Sequence, residues 1–571
     1  MTPPQNPNSL RREKNWSDLT KAGHFAMTEA WQTLVAAKRK ANAAKIPLEW
    51  RLSPEILGKI SPQAHFGVLD IPRTCGILTK TEVELTENYT AAELLRMMAN
   101  QVVTSYAVTL AFCKRAAIAQ QLVNCLTEIF FDEALVRAKK ADDHLAKTGQ
   151  VIGPLHGLPI SLKDSFNVIG VDATIGYVAF ARRPPATNNS SVVEILIRAG
   201  AIPYVKTNLP QTMMTADSDN NLFGRTLNPN KLSLTAGGST GGEGALLKIR
   251  GSILGVGTDV AGSIRIPSYC NGVFGFKPTS GRIPFAGGVP PGRLGAPTAI
   301  LPTIGPEGHS VEDMELWMRT VIDSEPWDLD PNCLAVPWRR VEPFTRPLRL
   351  GVITDDPKRM LHPTVLRTIK SASEALKNAG HMIMPLDGLI PSIWESCILS
   401  WKYFALDPQD TPAKILAEVN EPLVPSISTT YLDEIPQGWH PSIDDLYAMN
   451  MERFKIIHSY HKILTENSLD GFIMPVYQAT AVPHDTYGLP IWTVLPNLIN
   501  YPAGVIPYLK ADKKEDAPFV RTGVTYEPPY NADAVEGAPC GLQVVGRPMK
   551  DEETLKMMEV IANVLKATTS E

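Results

Sequence analysis

Apolar residues along this chain follow two patterns. In the first part they recur at helical spacing. Further on they gather into short unbroken runs separated by glycines. Residues 27–44 carry Trp31, Leu34 and Val35 as the apolar points of a helix. Thr90-Ala-Ala-Glu93 is a capping box, and Leu94, Leu95, Met98, Val102 and Val103 follow it at helical spacing, which predicts one long helix. A further helix is predicted over 133–148, stopped at Gly149. The first 25 or so residues are polar and rich in Pro and Asn, and predict a loose arm. Roughly the first 150 residues therefore read as mainly helical.

From Gly153 the pattern changes. Leu158-Pro-Ile-Ser-Leu162 predicts a short buried strand ending at Lys163. Ser191-Val-Val-Glu194 reads as a second capping box, opening a helix that closes at Gly200. Ala201-Ile-Pro-Tyr-Val205 predicts a strand ending in Lys206. Strand, helix and strand in this order imply an α/β layer. Residues 253–256, 350–353 and 541–546 read as further strands, and 363–380 and 551–565 as helices. Residues 325–350 read as a surface excursion. Residues 386–445 give weak signals and are expected to cover the site. Thr486 to Leu509 lacks charge, but Pro490, Pro496, Pro502 and Pro507 oppose a membrane-spanning helix. That stretch reads as buried strand and loop.

Composition narrows the class. Of 571 residues, 44% are hydrophobic and 20% charged, which supplies a core and argues against disorder. The net charge is −4 and no long basic block occurs, so no nucleic-acid partner is expected. Arg137-Ala-Lys139-Lys140 reads as the wet face of a helix. The seven cysteines are scattered without a CxxC pair, which fits a reducing compartment and argues against a disulfide framework or a structural zinc site. The N-terminus, MTPPQNPNSLRREKNW, lacks the apolar core of a signal peptide. The expectation is a soluble, cytoplasmic protein with no membrane span. No metal-ligand spacing appears, and no cofactor or metal is expected.

Three segments carry candidate chemistry. In GPLHGLPISLKD (153–164), Lys163 ends an apolar strand. It is either a lysine whose stem packs while its head reaches water, or a base kept neutral by burial. In GGSTGGEGALL (237–247), glycines surround Ser239 and Thr240. They permit unusual dihedrals and close approach to a ligand. A phosphate loop would need a Gly-Lys-Ser/Thr ending, which is missing. The run also matches GxSxG, the nucleophile elbow, but no His has a supporting context. In GVGTDVAGSIRIPS (255–268), a strand runs into a turn carrying Ser263. Backbone N–H groups there could bind an oxyanion, and Ser263 could feel a helix dipole or act as an ordinary N-cap. Asp259 and Arg265 read as paired scaffold.

Together these segments resemble the amidase signature family. That family carries a Lys, then Gly-Gly-Ser-Ser-Gly-Gly-Glu-Gly, then Gly-Thr-Asp-x-Gly-Gly-Ser-x-Arg. Lys163 matches its base, Ser239 the serine held through a cis peptide bond, and Ser263 the nucleophile. The two serines stand 24 residues apart, as the family requires. The resemblance runs from about Leu94 to Leu565, through KTNLPQTM (206–213), FGRTLNP (223–229) and GAPCGLQVVG (537–546). The segment LAFCKRAAIAQQLVNC (110–125) is similar to fungal acetamidases and general amidases.

The resemblance implies an α/β fold, with a large mixed twisted sheet between helices. Residues 1–90 would form an arm and helical region packed on a catalytic domain over 91–571. It implies hydrolysis of a carboxamide to an acid and ammonia or an amine, by a Ser-cisSer-Lys triad. The N–H groups of Val260, Ala261, Gly262 and Ser263 would form the oxyanion hole, and Met213 would line the acyl pocket beside Met214. Its partner would be a small-molecule amide; a homodimer is compatible with it. Two positions depart from the family. Thr240 replaces a serine, and Ala261 replaces a glycine, where a methyl could narrow the pocket or bar a positive φ. His156, near Lys163, is a competing general base or a turn histidine. A glutaminase-type amidotransferase subunit, a serine esterase and an inactive binding protein of the same fold are the alternatives.

Overall fold

The computed structural model describes residues 29–295, 299–430, 435 and 441–569. Among them, eleven strands form one mixed sheet. They are β1 (Leu126–Ile129), β2 (Pro159–Lys163), β3 (Ile202–Thr207), β4 (Leu254–Asp259), β5 (Phe274–Lys277), β6 (Thr303–Gly308), β7 (Arg349–Val352), β8 (Met382–Pro385), β9 (Gly471–Met474), β10 (Ala503–Lys510) and β11 (Pro539–Val545). Their order across the sheet is β1-β3-β2-β4-β6-β5-β10-β11-β9-β7-β8. β2 runs parallel to β3 and β4, and β7 to β8 and β9; the other neighbours are antiparallel.

Helices cover both faces because side chains alternate along a strand. In β9, Ile473 joins one apolar cluster while Phe472 and Met474 join another. In β10, Ile506 belongs to the first, and Ala503 and Val505 to the second. The first cluster also gathers Phe112, Ala138, Trp317 and Leu555, and extends to Trp50, Val68 and Leu85 near the start of the described chain. The second gathers Cys397, Tyr460 and Trp492. Such double-sided cover is what near-continuous apolar strands require.

Several expectations change in detail. The helix capped by Thr90 stops at Ala99. Gln101 takes a positive φ, Val102 is 71% exposed, and Thr104 caps a separate helix, Ser105–Val123. A second N-cap a turn later overrides the continued apolar spacing. The mainly helical first part also contributes β1, paired with β3. At the second capping box, Ser190 and not Ser191 holds the N-cap, and Glu194 pairs with Asn189 and Arg198 instead of closing a box. The stretch Thr486 to Leu509 contains a helix, Ile491–Leu498, with Pro496 inside it. Proline cannot donate to the carbonyl four residues back. Gln543 Nε2 donates to that carbonyl, of Trp492, at 3.1 Å instead. The weak segment 386–445 contains helices Ile393–Phe404, Thr411–Ala417 and Pro425–Thr430. The predicted N-terminal arm lies outside the described residues.

Candidate active site

The parallel pairing of β2 with β4 brings their C-terminal ends out side by side, Ser161 opposite Gly255 and Leu162 opposite Val256. Loops leaving such ends are where open α/β sheets place ligand sites. β2 delivers Lys163, and β4 delivers Thr258 and Asp259, then the turn to Ser263.

Lys163 is fully buried. Its Nζ lies 2.7 Å from Ser239 Oγ, and it donates to Thr258 Oγ1 at 2.8 Å and more weakly to the Thr258 carbonyl at 3.5 Å. A neutral amine has two N–H groups and one lone pair. Two donations to Thr258 leave the lone pair for the Ser239 hydroxyl. Burial pushes the Lys163 pKa down to about 7, against the smaller pull of Glu307 and Asp259. Burial and the neighbouring Glu243 raise the Glu307 pKa well above the carboxylate range, which weakens that pull.

The Gly238–Ser239 peptide bond is cis. The loop is pinned around it. Gly237 N donates to Thr235 Oγ1 at 2.9 Å, and the Gly237 carbonyl accepts from Ser218 Oγ at 2.9 Å. Gly238 must be glycine, because a Cβ there would lie 2.6 Å from the Thr215 carbonyl oxygen. Thr240 N then donates to the Ser263 carbonyl at 3.2 Å, which ties the two serine loops together. Ser239 is 3% and Ser263 8% exposed. Ser263 does not open the following helix; that helix is Arg265–Asn271, and Ile264 precedes it.

Asp259 organises the Ser263 turn. Its carboxylate accepts from Gly262 N at 2.9 Å and Ile264 N at 3.1 Å, and pairs with Arg265 at 2.9 Å. Burial opposes its charge, yet the Arg265 guanidinium holds its pKa below the usual value. Arg265 also reaches Gln543 Oε1 at 2.9 Å, the Thr493 carbonyl at 2.7 Å and Asn497 Oδ1 at 2.6 Å. The N–H groups of Val260, Ala261 and Ser263 donate to no group among the described residues, whereas that of Gly262 is engaged by Asp259. Ala261 does not adopt a positive φ, so its methyl brings no backbone strain.

Beside β2 lies the buried carboxyl group of Glu243. Ser252 Oγ donates to the Leu254 carbonyl at 3.2 Å, and Ser161 Oγ to Ser252 Oγ at 2.6 Å. Ser161 Oγ also donates to Glu243 Oε1; with one hydrogen per hydroxyl it serves Ser252 and Glu243 alternately. Thr207 Oγ1 donates to the other Glu243 oxygen at 2.9 Å. Burial pushes the Glu243 pKa up to about 7.

Other candidates fall outside this network. His156 is buried in its turn, and its Nδ1 accepts from Ile152 N at 3.2 Å. Asp164 accepts from Thr127, Thr174 and Ile175 and pairs with Lys206. Met213 is half-buried and packs against a cluster containing Tyr177, Phe180 and Ile415. Thr258, Glu243, Glu307, Thr493, Asn497 and Gln543 escaped sequence reasoning. The available signal was a polar residue inside an apolar run, as in Gly541-Leu-Gln-Val-Val545. Among the described residues no group of three or more His, Cys, Asp and Glu is placed to hold a metal ion, and no helix is long and apolar enough to cross a membrane.

Known proteins resemble this chain in sequence and in fold. The Amidase family model matches residues 107–555. An amidase of Gibberella moniliformis is 39% identical over 541 residues, covering 94% of this chain and 99% of the relative. An acetamidase of Emericella nidulans is 34% identical over 558 residues, covering 94% and 99%. The solved structure of a fatty acid amide hydrolase superposes with a TM-score of 0.87 at 30% identity, covering 96% of each chain. By its matched length, its relatives and its fold, the chain belongs to the amidase signature family, hydrolases that act on amides.

Proposed function

We propose that this protein cleaves a carboxamide through an ester on Ser263, with Ser239 as proton relay and Lys163 as base. The observation that carries the reading is the fully buried Lys163 Nζ, 2.7 Å from Ser239 Oγ. The serine loop around Ser239 is in turn bonded to the Ser263 carbonyl. A neutral amine in that place takes the Ser239 proton as Ser239 takes that of Ser263. Ser263 Oγ then attacks the amide carbonyl. The N–H groups of Val260, Ala261 and Ser263 receive the oxyanion; that of Gly262 joins them only by releasing Asp259. Losing one such donor costs about 3–4 kcal/mol of barrier. Ser239 returns the proton to the departing amine, and water, activated by the same pair, hydrolyses the ester.

We place the substrate among small or medium carboxamides, a reading supported by the acetamidase relative, with Met213 in the acyl pocket. The scattered cysteines, none joined in a disulfide among the described residues, support a reducing compartment. The test is labelling with a fluorophosphonate, followed by mass analysis. Ser263 should carry the adduct, and Ser263→Ala should lose both label and ammonia release. An adduct on another serine, or full turnover by Ser263→Ala, would sink the assignment. A panel of amides graded by acyl length then ranks substrates.

A further inference from the structure

We propose that Thr493 is a positioning residue for the oxyanion turn: its hydroxyl and the Asp259 carboxylate hold the Ala261–Gly262 peptide from opposite ends and set which N–H groups face the acyl site. This rests on the reading of Ser263 as nucleophile. Thr493 Oγ1 donates to the Ala261 carbonyl at 2.8 Å, while Gly262 N donates to Asp259 Oδ1 at 2.9 Å. In a trans peptide the C=O and N–H point to opposite sides. Fixing both ends therefore fixes the rotation of the plane between them.

That rotation needs fixing. Gly262 has φ +120 and no side chain to resist a flip of the preceding peptide. A flip would turn the Ala261 carbonyl oxygen toward the Asp259 carboxylate, break both bonds and re-aim the neighbouring Ala261 and Ser263 N–H groups. Thr493 occupies the space a side chain at Gly262 would need. A Cβ built there would lie 2.1 Å from Thr493 Oγ1 and 2.4 Å from Thr493 Cβ. Glycine at 262 and threonine at 493 are thus matched in shape as well as hydrogen bonding. The Thr493 hydroxyl has one hydrogen and a second acceptor, the Pro490 carbonyl, at 3.4 Å; the shorter bond to Ala261 takes it.

The helix Ile491–Leu498 is itself anchored to the turn. The Thr493 carbonyl and Asn497 Oδ1 both accept from Arg265 Nη2, at 2.7 and 2.6 Å. Asn497 Nδ2 donates to the Asp259 carbonyl at 3.4 Å. Thr493 is fully buried. A segment more than two hundred residues downstream in the chain thereby shapes the donors beside Ser263.

The experiment compares Thr493→Val with Thr493→Ser on one amide substrate. Thr493→Val should lower kcat about ten- to a hundredfold, as small misplacements at a reacting centre do. KM should stay within about threefold, because the clamp acts on the transition state. Affinity for a trifluoromethyl ketone that adds to Ser263 should fall in step with kcat/KM. Thr493→Ser, which keeps the hydroxyl, should restore kcat to within about threefold of the parent. Retained kcat in Thr493→Val, a loss confined to KM, or a Thr493→Ser variant as slow as Thr493→Val would each overturn the proposal. If Thr493→Val does not melt cooperatively, Thr493→Ala against Thr493→Ser makes the same comparison. Activity surviving Ser263→Ala removes the nucleophile and this proposal together. Activity lost there but kept in Thr493→Val removes this proposal alone.

Discussion

Asp259 and Lys163 are both fully buried, on neighbouring strands, and serve the same serine turn, yet burial leaves them in different states. Asp259 keeps its charge. Arg265 and two backbone N–H groups offset the desolvation. Lys163 holds its charge weakly, because burial pushes its pKa down to about 7. Its immediate partners are hydroxyls and a carbonyl, and the same dry surroundings raise the pKa values of the acids Glu243 and Glu307. Burial alone therefore does not decide ionisation; an opposite charge in contact does. The charged region makes a rigid frame, and the other supplies a candidate base near neutral pH.

The largest break in this comparison is at Lys163. Replacing it with alanine should cut kcat/KM about 10²- to 10⁴-fold, while His156→Ala keeps substantial turnover; equal losses in both, with folding intact, would refute the division of roles. The same residue sets a pH dependence. With Lys163 as the proposed base the active form is the neutral amine, so kcat/KM of the parent should fall with a slope of one proton as pH drops through about 7. A profile flat to well below that pH would mean that the base is another group.

A smaller effect is expected at the frame. Arg265→Ala strands the Asp259 carboxylate and should cost about 3–5 kcal/mol of stability, read from denaturant unfolding. A variant of unchanged stability would show the pair to be dispensable. The smallest effect should come from Glu243→Gln. The amide keeps an oxygen to accept from Thr207, and its nitrogen can donate to Ser161 once that hydroxyl turns to Ser252, so activity should stay within about threefold of the parent. A collapse of activity would mean that Glu243 works as a carboxylate.

How much of this could be read along the chain varies by residue. Gly149 stops a helix and Thr90 caps one, as their types predict, because both act over a few residues. β1, β5, β6, β8 and β9 left no clear trace. They are at most six residues long, and their hydrogen-bond partners lie far away in sequence. Pro496 reads as a helix breaker, but the orphaned Trp492 carbonyl finds Gln543, 51 residues on. The end of the Thr90 helix was misjudged because apolar spacing continues past it, while the competing cap at Thr104 is a single residue.

The sequence by itself determined the candidate set of reacting residues. Lys163, Ser239 and Ser263 are legible because a family motif fixes residue type and spacing over short stretches, each bordered by glycines. Only the tertiary structure decided their state and setting. The protonation of Lys163 depends on how completely the sheet and helices exclude water from it. The orientation of the Ala261–Gly262 peptide depends on Thr493, and the charge of Asp259 on an Arg265 that is held in turn by Asn497 and Gln543. Desolvation and long-range hydrogen bonding arise only after strands distant in sequence have been packed side by side.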